Sequence, residues 1–323
     1  MVKMQQLEKL DGVGNVQMVE AEIPVPGPDE VLLKVRRSLI SRGSELFRRY
    51  VMPEALPPSM MGYSDTGDVI KLGSKVKEVN PGDRSNVGGP HAQYVVGAPG
   101  HIPASLDYES ATFIGLATSA IMWARSTPIN PGDVVVVLGQ GIVGNLYMQV
   151  VREREPAKVI TVDATKLRCQ ISKDSGADIV INVSETDSVN AVMDLTNGKG
   201  ADVVVECVGG TAGLKSFEQA QRMMKKDGVL HLIAKYQGAK EAGDGLLPLD
   251  SGIFMDKLLI AGVRVEGDRS IHRTDAANML VNGFIKVGPM VTHRLPWQET
   301  AEAYHMLFNK PDEALAVILN WDL

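Results

Sequence analysis

The sequence predicts an α/β protein in which a small β-rich domain accompanies a doubly wound parallel sheet. In the middle of the chain, a strand with four valines, Val134–Leu138, runs into a glycine-rich turn. From there, roughly 130 residues alternate between apolar strands and helical stretches, which is typical of parallel α/β sheets. The first hundred or so residues instead contain short strands broken by glycine and proline, which favours a partly open β-barrel.

The composition is that of an ordinary globular protein large enough for two domains. The chain has 323 residues, of which 44% are hydrophobic and 22% are charged, and its formal net charge is −6. Charges of both signs are interspersed, which argues against a nucleic-acid partner. No segment has the ~20 apolar residues of a membrane span, and the first residues have no apolar signal core. We therefore expect a cytoplasmic protein that binds neither membrane nor nucleic acid.

The N-terminal region supplies the strands of the predicted barrel and then a helix. Turn-forming residues bound its strands, which are predicted at Val31–Val35, Gly67–Gly73 and Ala92–Val96. The helical pattern that follows runs from Tyr108 to Arg125.

The central region contains six apolar strands alternating with helices, as a right-handed parallel sheet requires. They are predicted at Val134–Leu138, Val159–Val162, Ile179–Asn182, Val203–Cys207, Gly228–Ile233 and Leu258–Val263. The tail adds a helix, Gln298–Phe308, and a strand, Ala314–Leu319, which we expect to return to the first domain. The predicted domains are 1–120 with 265–323, and 121–264.

The turn Gly139-Gln140-Gly141-Ile142-Val143-Gly144 has the G-x-G-x-x-G spacing of a dinucleotide-binding βαβ unit. Gly139 permits the tight turn, Gly141 lets a pyrophosphate approach the backbone, and Gly144 lets the helix pack on the strand. The phosphates would lie at the helix N-terminus, where the amides around Ile142 and Val143 favour anions. The alternative is an ordinary βα turn.

Asp163 ends the second strand of this unit, where a carboxylate can accept both ribose hydroxyls of NAD and would repel the 2′-phosphate of NADP. The sequence therefore predicts NAD as the cofactor. Lys166 and Arg168 weaken this prediction because they could offer positive charge to a 2′-phosphate. In the alternative interpretation, Asp163 caps the helix that follows.

Five phrases occur in a specific order along the chain: Pro26–Leu32, Gly67–Val76, Pro81–Arg84, His91–Val95 and Pro131–Val137. Together they resemble the medium-chain dehydrogenase/reductase superfamily of zinc alcohol dehydrogenases and quinone reductases, and the resemblance covers essentially the whole chain. It implies a GroES-like barrel domain, a Rossmann domain, and a homodimer that pairs through the last Rossmann strand. Ser41 and Gly62–Ser64 are also similar to the bacteriochlorophyllide hydroxyethyl dehydrogenase-like branch.

The positions of the zinc ligands in that superfamily are changed in this chain. Zinc-dependent members carry an early cysteine, a Gly-His-Glu phrase and a later cysteine or acid. Here those places read Ser41, Gly62-Tyr63-Ser64 and Thr112–Thr118, and a four-cysteine lobe is missing. The two cysteines, Cys169 and Cys207, suit neither a disulfide framework nor a zinc site, and we expect them to be buried. Because zinc needs Cys, His or carboxylate donors, we expect no metal site.

The resemblance places Tyr63 and Ser41 next to the nicotinamide. Hydride transfer to a carbonyl leaves negative charge on oxygen, which a hydrogen-bond donor must stabilise where zinc does not. We hypothesise that Tyr63 is the acid/base or electrophile, with its pKa lowered by a nearby cation, and that Ser41, Ser44 or His91 passes the proton to solvent. Alternatively, Tyr63 only fills the space of the metal, and His91 is a surface or core histidine.

Other positions are assigned partly by the resemblance. Thr118 would pack on the nicotinamide, and Val208 and Gly209 would line the path of the ribose. Arg264 would reach the pyrophosphate or form a salt bridge. Glu45 is expected to pair with Arg42 or Arg48 at the surface.

The function predicted from the sequence is that of an NAD-dependent, zinc-independent dehydrogenase. It would interconvert a secondary alcohol, such as a sugar derivative or another bulky polar alcohol, and a ketone. A quinone or enoyl reductase using NAD(P)H is one alternative. A dinucleotide-binding protein without turnover is the other.

Overall fold

The computed structural model describes residues 3–234, 247–262 and 269–322. The chain divides into two compact units, the first comprising Met1–Gly115, Ala277–Gly283 and Met290–Leu323, and the second Leu116–Ala276 and Phe284–Pro289. The boundary between them after Gly115, like the predicted boundary after residue 120, lies within a single helix, Ile114–Ser126. The predicted boundary after residue 264 lies outside the described residues.

The strands and helices of the described residues are as follows. The strands are β1 (Lys3–Lys9), β2 (Val16–Glu22), β3 (Val31–Ile40), β4 (Asp65–Leu72), β5 (Arg84–Val87), β6 (Tyr94–Gly97), β7 (Gly100–His101), β8 (Val134–Leu138), β9 (Lys158–Asp163), β10 (Ile179–Asn182), β11 (Ala201–Glu206), β12 (Met224–Leu232), β13 (Leu258–Ala261), β14 (Val291–Pro296) and β15 (Ala316–Asn320). The helices are α1 (Arg42–Glu45), α2 (Tyr108–Ala111), α3 (Ile114–Ser126), α4 (Ile142–Val150), α5 (Lys166–Asp174), α6 (Ser188–Leu195), α7 (Gly213–Met223), α8 (Arg269–Val281) and α9 (Thr300–Asn309).

The first unit is built on a mainly antiparallel sheet with the order β14-β15-β3-β4-β5-β7, in which β6 also pairs with β3. β1 and β2 form a separate antiparallel pair. The long central strand β3 buries Val31, Leu33, Val35 and Ile40 in the core of this unit. The tail strand β15 pairs antiparallel with β3, so the end of the chain is part of the first unit.

The second unit contains a wholly parallel sheet with the order β10-β9-β8-β11-β12-β13. The predicted doubly wound α/β fold is therefore confirmed. The chain order reverses between β8 and β11, and crevices outside the carboxyl ends of strands at such a reversal are where open α/β sheets bind ligands. Val135, Val136 and Val137 of β8 are fully buried, which explains why this strand is apolar on both faces.

Several predicted elements differ in extent from those of the structure. The predicted helix Tyr108–Arg125 is two helices, α2 and α3, separated by the buried turn residues Thr112 and Phe113. The Thr112 hydroxyl donates to the backbone carbonyl of Glu109, a local bond that competes with helix continuation. The last predicted strand is described as Leu258–Ala261, and Val263 lies outside the described residues. Among those residues, no helix is long and apolar enough to cross a bilayer.

Candidate functional site

The glycine-rich turn joins β8 to α4 in the second unit, and two of its glycines are required by close packing. Gly139 has a φ of +84°, and a Cβ there would lie 2.8 Å from Val208 Cγ2. A Cβ on Gly144 would lie 1.8 Å from the Gly139 carbonyl oxygen, a distance that no side chain can occupy. These two positions therefore accept only glycine without movement of the backbone.

Gly141 differs from the other two glycines because the space around it is open. It is the N-cap of α4, and a Cβ there would meet nothing within 4 Å. The first amides of α4, around Ile142 and Val143, have no carbonyl partner within the helix. An anion can therefore approach this helix end without obstruction, which fits the pyrophosphate of a dinucleotide.

Asp163 links the glycine turn to the start of α5 through two hydrogen bonds. Its Oδ2 accepts a hydrogen bond from the Gln140 amide at 2.7 Å, and its Oδ1 accepts one from the Thr165 amide at 2.9 Å. The N-cap of α5 is Thr165, whose hydroxyl accepts from the Arg168 amide, so the alternative in which Asp163 caps this helix is wrong. The Asp163 carboxylate keeps lone pairs for a further donor.

The two cations near Asp163, Lys166 and Arg168, differ in exposure and in the acid that each approaches. The exposed Lys166 pairs with Glu185 at 3.5 Å. Arg168 is mostly buried, and its guanidinium lies 3.9 Å from Asp163 Oδ2. Its Nε has no hydrogen-bond partner among the described residues. Arg168 is therefore the cation of the two that lies beside the Asp163 carboxylate.

A buried glutamate, Glu206, stabilises the chain where β11 ends. The sequence analysis did not identify this residue. Glu206 Oε1 accepts hydrogen bonds from the Val208 amide and from the Ser216 hydroxyl, each at 2.8 Å. This fixes Val208 beneath Gly139 and leads the chain into Gly209. Of the other predicted cofactor residues, Thr118 is buried in α3, and Arg264 lies outside the described residues.

Tyr63 lies just before β4 in the first unit, behind a glycine that the packing requires. Gly62 has a φ of +125°, and a Cβ there would lie 2.7 Å from the His91 backbone nitrogen. The Tyr63 hydroxyl is buried and lies near Ser41 and Ser44 without a hydrogen bond of good geometry to either residue. The three predicted hydroxyls are thus brought together.

The pKa of Tyr63 moves in the opposite direction from the one predicted. Burial, and after it the negative charge of Glu45, raise the pKa of the hydroxyl to about 12. Ser41, Ser44 and the charge of Arg49, which lies over the ring with its Cζ 5.8 Å from the centroid, lower it by less. The expectation that a cation brings this pKa toward the working range is therefore wrong. At neutral pH Tyr63 is a hydrogen-bond donor.

His91 is completely buried, with both ring nitrogens engaged. Nδ1 lies 2.9 Å from Ser38 Oγ, and Nε2 lies 3.0 Å from Glu45 Oε2. The Trp321 indole also donates to Ser38 Oγ, at 2.9 Å. A carboxylate can only accept, so the Nε2–H of His91 donates to Glu45. His91 is a core histidine and does not hand a proton directly to solvent, which corrects the predicted role.

The prediction that Glu45 pairs with an arginine at the surface is also wrong, because the Glu45 side chain is buried in the core. Its carboxylate accepts hydrogen bonds from the Ser41 amide at 2.7 Å, from His91 and from the Tyr304 hydroxyl. The predicted partner Arg42 instead donates to the Leu307 carbonyl oxygen at 3.0 Å. Glu45 is buried because the turn α1 follows directly on the buried end of β3.

A second buried acid, Asp65, follows Tyr63 by two residues. Its Oδ2 accepts from the Gly89 amide at 3.0 Å, and its Oδ1 has no partner among the described residues. Complete burial raises the pKa of this carboxyl well above its usual range. The negative charge of Glu45 raises it further.

The donor set around Tyr63 does not fit zinc. Ser41, Ser44 and Tyr63 offer neutral hydroxyls, and the carboxylate of Glu45 already accepts three hydrogen bonds. Zinc in proteins is held by thiolates, imidazoles and carboxylates. Within the described ranges, no cluster of three or more such residues is arranged to hold a metal ion.

The two cysteines lie in the second unit and form no disulfide. Cys169 Sγ lies 3.7 Å from the Asp163 carbonyl oxygen, and burial raises the pKa of this thiol to about 11. Burial also raises the pKa of the Cys207 thiol well above its usual range. Neither thiol is suited to act as a nucleophile.

The fold and the glycine turn define a two-unit α/β protein of the dehydrogenase type. A family model described as zinc-binding dehydrogenase matches residues 143–281. The sorbitol dehydrogenase of Halalkalibacterium halodurans is 27% identical over 95% of this chain and 96% of its own length. The L-threonine 3-dehydrogenase of Pyrococcus horikoshii is 27% identical over 90% of this chain and 91% of its own length.

Solved structures share the fold over nearly the whole chain. An oxidoreductase of unknown specificity from Escherichia coli matches with a TM-score of 0.86 at 20% identity, covering 99% of each chain. The alcohol dehydrogenase of Thermus sp. ATN1 matches with a TM-score of 0.82 at 23% identity, covering 98% of this chain and 99% of its own. The family model and these dehydrogenase relatives support the medium-chain dehydrogenase/reductase superfamily of oxidoreductases, as the resemblance predicted.

Proposed function

We propose that this protein is a zinc-independent, NAD(H)-dependent oxidoreductase that interconverts a secondary alcohol and a ketone. The observation that carries the proposal is the buried, neutral Tyr63 hydroxyl. It lies near Ser41 and Ser44 and forms no hydrogen bond of good geometry with a described residue. A buried donor without a partner costs free energy unless a ligand pairs with it. A substrate oxygen would supply that partner.

The residues of the second unit would hold the dinucleotide. The open space at Gly141 suits the pyrophosphate, and the free lone pairs of Asp163 suit the ribose hydroxyls of NAD. Arg168, beside Asp163, is a feature that would favour NADP. When bound, the dinucleotide supplies or accepts the hydride. Among structures that share the fold, one from Sinorhizobium meliloti is bound to NADP and one from Escherichia coli to NADH, so the fold alone does not select the cofactor.

Tyr63 would stabilise the charge that develops on the substrate oxygen. As hydride reaches the carbonyl carbon, the Tyr63 hydroxyl donates a hydrogen bond to the oxygen and then its proton. A pKa of about 12 keeps this hydroxyl protonated at neutral pH, which favours the reduction direction. In the oxidation direction the same group has to lose its proton first, so we expect alcohol oxidation to need higher pH.

We also propose a homodimer that forms through β13. Among the described strands, β13 is at the edge of the parallel sheet, with Leu258 and Leu259 48% and 36% exposed. An exposed apolar edge strand pairs readily with another copy of itself. Sedimentation of the wild type as a dimer and of Leu259→Lys as a monomer would support this. A monomeric wild type would refute it. We further propose that the protein acts in the cytoplasm.

The reaction is tested by supplying secondary alcohols and polyols with NAD, and with NADP in parallel, and following the reduced cofactor. Turnover with NAD and not NADP supports the proposal. Oxidation of NADH by quinones or enones alone assigns the reductase alternative. Tight NADH binding without turnover on any alcohol, ketone, quinone or enone assigns the non-catalytic alternative.

A further inference from the structure

A half-buried arginine, Arg49, lies against the ring of Tyr63. Its guanidinium carbon is 5.8 Å from the ring centroid, which is the geometry of a cation–π contact. The only hydrogen bond that it makes to described residues is a long one, 3.5 Å, from Nη1 to the Gly62 carbonyl oxygen. The ion pairs of the described residues do not include Arg49. Most of its five N–H donors thus have no partner among the described residues.

The segment around Arg49 has more positive than negative charge. Between residues 42 and 49 it carries Arg42, Arg48 and Arg49 against one acid, Glu45. That acid is fully buried and already accepts hydrogen bonds from Ser41, His91 and Tyr304. Glu45 therefore forms no ion pair with Arg49.

Arg42, in the same segment, is placed differently. Its guanidinium lies over Phe47, 5.2 Å from the ring centroid, and its Nε donates to the Leu307 carbonyl oxygen at 3.0 Å. These two contacts with the protein hold the Arg42 side chain in place, so its position does not depend on a ligand. Of these two arginines, Arg49 is the one next to the Tyr63 ring.

We propose that the substrate of this enzyme is anionic, and that Arg49 binds its carboxylate or phosphate while Tyr63 contacts the reacting oxygen. This inference rests on the proposed dehydrogenase function. The planar guanidinium suits both groups because it presents paired N–H donors that match two anionic oxygens. A hydrogen bond to a charged group contributes more than one between neutral groups, particularly where water is partly excluded.

A bound anion would also affect the pKa of the Tyr63 hydroxyl. The charge of Arg49 lowers the pKa of the Tyr63 hydroxyl in the protein alone. A bound anion offsets that charge, so the hydroxyl is held protonated in the complex. The anionic substrate therefore keeps Tyr63 in the state that donates to a carbonyl oxygen.

Matched pairs of ketones test the inference. One pair is 4-oxopentanoate and 2-pentanone, and the other is dihydroxyacetone phosphate and dihydroxyacetone. The kcat/KM of each is measured with NADH for the wild type, Arg49→Gln and Arg49→Lys, with Arg42→Gln as the matched control. The ratio of anionic to neutral ketone is compared within each variant, so that a general loss of activity cancels.

We expect the wild type to prefer the anionic member of at least one pair by about tenfold or more. The pair that shows the preference tells carboxylate from phosphate. Arg49→Gln should bring the ratio close to unity, Arg49→Lys should retain part of it, and Arg42→Gln should keep it. A wild type that prefers neither anion, or an Arg49→Gln variant that keeps the preference, would overturn the inference while leaving the dehydrogenase function intact.

A binding measurement separates the two proposals. Saturation-transfer NMR is recorded for 4-oxopentanoate and 2-pentanone with the wild type and Arg49→Gln, each with NAD present. Binding of the anion that requires Arg49, without turnover of any ketone, refutes the dehydrogenase function and supports the anion site. Equal signals for the anionic and neutral members of this pair, and of the dihydroxyacetone phosphate pair measured in the same way, refute the anion site.

Discussion

The carboxylate of Glu45 accepts a hydrogen bond from His91 Nε2 at 3.0 Å, and neither side chain is exposed. The same carboxylate binds the Ser41 amide, one helical turn earlier in the chain. Glu45 therefore links the core to the turn that carries Ser41 and Ser44 next to Tyr63. The site around Tyr63 depends on a buried charge whose partners come from distant parts of the sequence.

Substituting Tyr63 by phenylalanine should leave the fold intact. The hydroxyl makes no hydrogen bond of good geometry, so its removal should change the free energy of unfolding by less than about 1 kcal/mol. NADH affinity should also be retained, because the glycine turn and Asp163, which are proposed to hold the pyrophosphate and the ribose, are unchanged. Urea unfolding and NADH fluorescence titration measure both. Large destabilisation would show that the hydroxyl is a structural group.

The raised pKa of Tyr63 predicts a loss of stability at high pH. The ordinary value is 10.0 and the folded value is about 12, so the folded state holds the proton more tightly than the unfolded state. This group therefore contributes fully below pH 10, and its contribution falls as pH rises toward 12. The wild type should lose up to about 2 to 3 kcal/mol more than Tyr63→Phe over that window. Parallel curves for the two proteins would contradict the shift.

Replacing Glu45 by glutamine should lower the pKa of Tyr63. The charge of Glu45 is the second cause of the raised value, and its loss leaves Arg49 opposed by burial alone. Ultraviolet phenolate titrations of Glu45→Gln, with and without Tyr63→Phe, isolate the Tyr63 signal. Glu313→Gln, at an exposed ion pair with Lys310, is the control that should not move it. An unmoved phenolate titration in Glu45→Gln would mean that the two groups are not coupled.

The loss of Glu45's charge should also destabilise the protein. The amide of Glu45→Gln cannot accept all three hydrogen bonds that the carboxylate accepts, so a buried donor is left unpaired. This costs about 1–3 kcal/mol. Chemical unfolding measures it.

Two glycines of the turn should respond to alanine in opposite ways. Gly144→Ala places a methyl group 1.8 Å from the Gly139 carbonyl oxygen, so we expect a loss of several kcal/mol or failure to fold. Gly141→Ala meets open space and should cost about 1 kcal/mol or less as an N-cap change. Its NADH affinity should still fall by about tenfold or more, since the methyl group fills the anion's approach. Unchanged NADH binding in Gly141→Ala would remove this helix end from the cofactor site.

Asp163→Asn tests the cofactor preference. The amide keeps an oxygen that can accept from a backbone amide but loses the charge that repels a 2′-phosphate, while Arg168 remains 3.9 Å away. The ratio of NADH to NADPH affinity should fall by about tenfold or more. Arg168→Gln should change the ratio in the opposite direction. A constant ratio in Asp163→Asn would show that this carboxylate does not select the cofactor.

Local patterns in the sequence predict the nucleotide unit well. The four valines of β8, the spacing of Gly139, Gly141 and Gly144, and an acid at the end of β9 are all determined within about thirty residues. The parallel direction of neighbouring strands then follows from the βαβ connection. This explains why the α/β fold and the parallel sheet are confirmed.

The core of the first unit could not be predicted in the same way. Glu45 contacts His91, 46 residues away, and Tyr304, 259 residues away. The segment alone, with arginines on both sides of Glu45, resembles an exposed charged turn. Only the pairing of β15 with β3 and the packing of α9 bring Tyr304 to the carboxylate. The pKa of Tyr63 was mispredicted for the same reason, because it depends on burial and on Glu45.

We propose that the Tyr63 hydroxyl stabilises the negative charge on the substrate oxygen, as zinc does in zinc-dependent dehydrogenases. The most direct measurement is the kcat/KM for ketone reduction by chelator-treated wild type and Tyr63→Phe, each with and without added zinc. We predict that the wild type keeps its activity and gains nothing from zinc, and that Tyr63→Phe loses about a hundredfold or more under both conditions. Activity that chelation abolishes and zinc restores, or that Tyr63→Phe retains, would contradict the claim.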